Sequence, residues 1–272
     1  MRIYKILNNN AVIVKDGGVE KIAIGPGIAF NKQRNDVINP KKIEKLFVME
    51  ENEKLQQLLK RIPEEHFLIS ETIISYAEKQ MDTKLSEHIH IQLTDHISFA
   101  IERIKEGIHL RNKLLNEIKI LYKKEFTIGL WAIDYIKQHL QIEMDENEAA
   151  FIALHLHTAK QKGTDLKDAI RQTTIIQDMV KTIKSLVQID VQEDDLAYHR
   201  LITHLRYALA RTNKYEIRTL DDEITEMIQK KLPFANHCAH VLAKNVAEKY
   251  DIHFSEQELA YITLHIERLR KK

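Results

Sequence analysis

One cysteine, four prolines, seven glycines and one tryptophan are all that 272 residues contain of these types. A single thiol, Cys238, excludes an intrachain disulfide and fits a reducing compartment such as the cytosol. So few glycines and prolines imply long helices joined by few turns. No stretch approaches the ~20 apolar residues of a membrane span, so no membrane insertion is expected. The opening MRIYKILNNNAVIV lacks the apolar core and small-residue cleavage site of a signal peptide. Gly-rich phosphate loops, metal-spaced clusters and nucleophile motifs are missing too, which argues against an enzyme and implies no cofactor. With 44% hydrophobic and 30% charged residues the chain reads as soluble and globular, long enough for two or three domains.

What the chain does have is histidine, 14 of them, and an internal duplication. DENEAAFIALHLHTA at 145–159 returns as SEQELAYITLHIERL at 255–269, matching at Glu148/Glu258, Ala150/Ala260, Ile152/Ile262, Leu154/Leu264 and His155/His265. Each copy opens on a helix N-cap residue, Asp145 or Ser255, with Glu three positions on, the arrangement of a capping box. A second pair of segments repeats as well. LTDHISFAIER at 93–103 aligns with LITHLRYALAR at 201–211, pairing His96 with His204 and Phe99 with Tyr207. Helical periodicity predicts five helices near 63–80, 87–105, 111–123, 128–141 and 146–161. Five more follow near 172–187, 194–211, 219–231, 234–250 and 255–270. The polar break at 161–165 separates the sets, so each helical domain carries one histidine in its second helix and one in its fifth.

The first 50 residues differ. Short β-branched runs at 3–7, 11–14, 21–24 and 43–48 are divided by Asn8-Asn9-Asn10 and Asp16-Gly17-Gly18, and Gly25-Pro26-Gly27 makes a tight loop after the third. Residues 51–62 read as a charged connector. The expected fold is multidomain and mainly α: a small N-terminal antiparallel β-sheet domain, then two homologous five-helix bundle domains. Boundaries fall at 1–55, 63–168 and 172–272. A sheet of roughly 50 residues buries too little on its own, so dimerisation should complete its core. Residues 1–50 hold nine Lys/Arg against five Asp/Glu, while the rest holds 32 against 35. A basic head on an acidic body suits a polyanionic partner.

A lone helical histidine is usually a core residue with hydrogen-bonded ring nitrogens. Four kept in register through a duplication point to use. Metal binding fits poorly, because residues two apart, as in His155-Leu156-His157 and His88-Ile89-His90, lie about 200° apart around a helix. Acid–base catalysis finds no shared acidic neighbour, since Asp95 beside His96 becomes Thr203 in the second copy. Reversible phosphorylation of an accessible imidazole needs little else and fits best.

With these motifs in order, the chain resembles the BglG/SacY-type transcriptional antiterminators along its whole length. Ile6-Leu7-Asn8-Asn9-Asn10 and Gly25-Pro26-Gly27-Ile28-Ala29-Phe30 stand where that family has its NNN and GxGxAF signatures in a co-antiterminator RNA-binding domain. The helical sets resemble paired phosphotransferase-system regulation domains. The resemblance implies a cytoplasmic homodimer that grips a hairpin in a nascent leader mRNA and prevents a terminator hairpin from forming. Lys5, Asn8, Asn10, Gly25, Gly27 and Phe30 match RNA-contacting positions. Lys suits phosphates, Asn suits base edges and an aromatic ring suits an unpaired base. Phe30 reads equally as a core residue of the sheet, and Asn8–Asn10 as a plain turn. Pro26 replaces an Arg found in some members, which shifts contacts toward Lys32 or Arg34 and resembles the sucrose-responsive branch. The resemblance further implies that a sugar-specific permease component (EII) phosphorylates His96 and His155, and that the carrier HPr phosphorylates His204 and His265. Two other classes remain: a DNA-binding activator with the same regulatory domains, which the strand periodicity of the head disfavours, and an all-helical histidine enzyme.

Overall fold

Ala11-Val12-Ile13-Val14 is apolar at every position, the pattern of a strand covered on both faces. In the computed structural model, which describes residues 1–16, 19–47, 57–58, 61–160, 165–189, 195–212 and 221–271, that stretch is the second strand of a four-stranded antiparallel sheet. Its strands are β1 (Arg2–Asn8), β2 (Ala11–Asp16), β3 (Val19–Ile24) and β4 (Lys45–Phe47), hydrogen-bonded in sequence order. Gly17, Gly18 and Val48 of the expected turn and fourth strand lie outside the described residues. So do most of the expected connector at 51–62 and four residues of the break at 161–165. One sheet face buries Val12, Val14 and Ala23 under Ile3, Ile28, Ala29 and Ile38. The other buries Ala11, Ile13, Ile22 and Ile24 against Leu58 and Phe67. The second cover that so small a sheet needs thus comes from residues beyond it in the same chain.

Ten helices follow among the described residues. They are α1 (Glu64–Met81), α2 (Ile89–Lys105), α3 (Leu115–Leu121), α4 (Lys123–Leu140), α5 (Glu146–Lys160), α6 (Leu166–Val187), α7 (Leu196–Thr212), α8 (Asp222–Lys231), α9 (Pro233–Tyr250) and α10 (Glu256–Arg270). Pro63 stands at the N-cap of α1, with Glu64 and Glu65 in the first turn, where carboxylates meet the positive end of the helix dipole. Ile73, Ile97, Ala132, Ile136 and Leu156 form part of a core shared by α1, α2, α4 and α5. None of the described helices is long and apolar enough to cross a membrane.

Two helix starts depart from expectation. Asp165 caps the Lys167 amide, so α6 starts at Leu166 rather than near 172. The α4 helix starts at Lys123 rather than near 128. By its contacts the chain divides into two compact units, Met1–Arg111 with Thr127–Thr164 and Asn112–Phe126 with Asp165–Lys272. The short α3 is grouped with the second unit. Its polar partners are there: Gln177 Nε2 donates to Glu117 Oε2 (3.2 Å), Arg206 Nη1 to the Leu121 carbonyl (3.2 Å), and Tyr122 meets Thr173 at 3.2 Å.

Candidate functional site

Within the first unit, α2 and α5 bring His96 and His155 together, ring centroids 5.0 Å apart and tilted by 40°. Within the second, α7 and α10 repeat the arrangement more tightly, with His204 and His265 stacked at 3.9 Å and 25°. Each pair has a buried member on the later helix, His155 at 9% and His265 at 7% exposure, under a more accessible one on the earlier helix. Burial pushes the His155 imidazole down to about 3, and the neighbouring His96 adds to the effect. Burial likewise brings His265 down to about 4, followed by the nearby His204, Arg268 and Arg200. His204 is also lowered, first by burial and then by Arg211 and Arg268. These three rings are therefore neutral at cellular pH, and a neutral imidazole presents an unprotonated, nucleophilic nitrogen. The buried His155 Nδ1 and His96 Nε2 have no hydrogen-bond partner among the described residues.

The structure brings an Arg–Glu pair, repeated in both units, to the neighbourhood of the histidines. Glu148 lies seven residues before His155 and Glu258 seven before His265. Arg103 and Arg211 follow His96 and His204 by the same spacing, two turns along one helix face. Arg103 Nη2 donates to Glu148 Oε1, and His96 Nε2 lies 3.5 Å from Glu148 Oε2. In the second unit Arg211 holds both carboxylate oxygens of Glu258, Nε to Oε1 and Nη2 to Oε2 (2.7 Å). In both units the duplicated glutamate thus pairs with the duplicated arginine, and in the first it also reaches His96. Ser255 still accepts from the Glu258 amide at 3.3 Å, while Asp145 Oδ1 accepts from Asn147 at 2.9 Å. Asp95 turns instead to Arg61, 2.6 Å away. Phe99 and Tyr207, one turn beyond His96 and His204, are 60% and 47% exposed. No cluster of His, Cys and carboxylates among the described residues could hold a metal ion.

In the head, the NNN turn and the Gly25–Phe30 loop form one hydrogen-bonded assembly. Gly25 donates to the Asn10 carbonyl and Ala29 to the Asn9 carbonyl, each at 2.9 Å. The Gly27 amide donates to Asn10 Oδ1. Gly25 is dictated by contact, because a Cβ there would sit 1.7 Å from the Lys42 carbonyl oxygen. Gly27 has φ +58°, the left-handed region that favours glycine. Phe30 is 63% exposed, so it is not a core residue of the sheet. Lys5, Pro26 and Lys32 are also exposed. Asn8 Oδ1 accepts from the Asn10 amide at 2.9 Å, which makes it the anchor of an Asx turn. Asn10 is 7% exposed, and its Nδ2 donates to Glu64 Oε1 at the start of α1. A cavity of about 440 Å³ lined by Tyr4, Lys5, Ile6 and Arg34 opens beside these residues on the same sheet.

Family models match both the head and the helical sets. The family described as CAT RNA binding domain matches residues 1–56, and the PRD domain matches 71–159 and 177–269. The chain is 36% identical over 277 residues to the beta-glucoside operon antiterminator of Dickeya chrysanthemi, covering 100% of this chain and 98% of that protein. It is equally 36% identical to transcription antiterminator LicT of Bacillus subtilis (strain 168), with 100% of both covered. The GlcA/glcB genes antiterminator of Staphylococcus carnosus (strain TM300) is 30% identical, over 97% of this chain and 94% of that protein. Among solved structures, that of GlcT CAT-PRDI superposes with a TM-score of 0.55 at 36% identity, covering 59% of this chain and 98% of its own. The chain belongs to the BglG/SacY-type transcriptional antiterminators, RNA-binding regulators in which a CAT domain precedes two PRD domains.

Proposed function

We propose that this antiterminator works in the cytoplasm as a homodimer on a hairpin in a nascent leader mRNA of a sugar-utilisation operon, and that phosphorylation of its histidine pairs sets its activity. The reading rests above all on the pairing of His96 with His155 and His204 with His265 on equivalent helices, beside an equivalent Arg–Glu contact. A sugar-specific EII permease of the phosphotransferase system acts on the first pair and the phosphocarrier HPr on the second. In each transfer a ring nitrogen forms an N–P bond as the donor's bond to phosphorus breaks.

The product carries about 1.5–2 negative charges at neutral pH. On His96 this group would lie against the Glu148 carboxylate, repel it and compete for Arg103. Phosphorylation therefore exchanges an Arg–carboxylate contact between α2 and α5 for an Arg–phosphate contact within α2, which is a means of changing how the helices pack. On the RNA side, Lys5 and Lys32 meet phosphates, Phe30 stacks on an unpaired base and Asn10 reads a base edge. Asn8 and the Gly25-Pro26-Gly27 backbone shape the contact loop.

A leader-fusion reporter tests this reading. Replacing His96 and His155 with Ala should make antitermination independent of the inducing sugar, and replacing His204 and His265 should alter its dependence on HPr. Unchanged sugar dependence in the first variant refutes the assignment.

A further inference from the structure

Asn10 is the most buried of the side chains assigned to RNA contact, and what occupies it is a carboxylate. Its Oδ1 accepts from Gly27 and its Nδ2 donates to Glu64 Oε1, the first residue of α1. The same helix sends Phe67, wholly buried, onto the sheet face made by Ala11, Ile13, Ile22 and Ile24. Leu58 covers that face too, and Ile62 packs against it. Two independent contacts, one polar at the loop and one apolar on the sheet, thus fasten the start of the first helical domain to the head.

We infer that this fastening masks the RNA site, with Glu64 standing where an RNA acceptor would stand. Glu64 holds one of the two Asn10 Nδ2 protons, and its carboxylate must withdraw before a base-edge or phosphate oxygen can take that place. Glu64 and Glu65, both in the first turn of α1, also bring negative charge to the loop that would receive a polyanion. Withdrawal of α1 uncovers Ala11, Ile13, Ile22 and Ile24, four side chains at most 3% exposed here, and water is a poor replacement for Phe67. A second copy of the head, with the same apolar face, is the occupant that the homodimer supplies. Unmasking Asn10 and pairing two heads then become one event, and whatever moves α1 controls RNA binding. This inference rests on the proposal that the head grips RNA through Asn10.

The test uses the full unphosphorylated chain, a leader hairpin with internal loops, and three variants. Glu64→Ala should bind the hairpin about tenfold more tightly, the scale of losing one hydrogen bond to a charged group, and should shift the chain toward dimer in sedimentation. Glu65→Ala removes the same charge without the Asn10 contact and should change affinity by less than about threefold, the scale of one screened surface charge. Asn10→Ala should abolish tight binding in either background. Hairpin affinity equal in wild type and Glu64→Ala, with Asn10→Ala still defective, overturns the mask and leaves the RNA contact standing. Loss of nothing on Asn10→Ala, or no binding by any form, overturns the RNA reading and the mask with it.

Discussion

His204 stacks on His265 with ring centroids 3.9 Å apart, while His96 and His155 meet at 5.0 Å and a steeper tilt. Both pairs join the second helix of a set to its last, and both lie beside an Arg–Glu contact at matched positions. In neither pair can both rings be charged at little cost. The lower member is buried, and a charged imidazole loses hydration there while facing its partner at close range.

Acid should therefore destabilise the protein through these rings. When folded, His155 and His265 take up a proton only at about 3 and about 4; when unfolded they do so near the ordinary 6.5. Between pH 4 and 6.5 the unfolded chain binds more protons, so stability rises with pH across that window and falls on acidification. Urea titrations at pH 7 and pH 5 should show a loss on the order of 2 kcal/mol traceable to His265. His265→Gln should show that much less dependence on pH. Equal slopes for variant and wild type would mean that His265 does not carry it.

The two Arg–Glu contacts should differ in strength. Arg103 and Glu148 are both buried, at 6% and 3% side-chain exposure, whereas the Arg211 side chain is 35% exposed. Arg103→Met strands a buried carboxylate and should cost about 3–5 kcal/mol, and joint replacement with Glu148→Leu should recover most of it. Arg211→Met should cost clearly less, because water reaches that guanidinium. Thermal denaturation of the four proteins checks the order, and a larger loss for Arg211→Met contradicts it.

Phe30→Ala should separate binding from folding. At 63% exposure the ring contributes little to the sheet, so unfolding free energy should change by no more than about 0.5 kcal/mol. Hairpin affinity should fall by about 1–3 kcal/mol, the scale of one base stacked on an aromatic ring. A stability loss without an affinity loss would return Phe30 to a structural role.

These outcomes also mark what could be read from residue order. Periodicity and the duplication were enough for the sheet, the helical sets and the placement of four histidines on equivalent helices, because each signal is local or repeats. The acidic partner was within reach but mistaken. Asp95 adjoins His96 in the chain, yet neighbours on a helix point about 100° apart. Glu148, equally visible in the repeat, arrives from another helix. Its capping-box position supplied a local explanation that concealed the contact with Arg103. Asn10–Glu64 joins residues 54 apart and has no repeat to announce it. The grouping of α3 with the second unit likewise depends on long-range partners such as Gln177 and Arg206. The relatives above carry beta-glucoside and GlcA/glcB names, not the sucrose-responsive one expected from Pro26.

Phosphosite mapping bears most directly on the histidine pairs. The full chain is incubated with phosphoenolpyruvate, the general phosphotransferase proteins and the cognate EII permease, digested at alkaline pH, and its phosphohistidines are located by mass spectrometry. The account predicts phosphate on His96, His155, His204 and His265, with the first two dependent on the permease and the last two on HPr alone. Phosphate confined to other histidines, or a chain that accepts none, would contradict it.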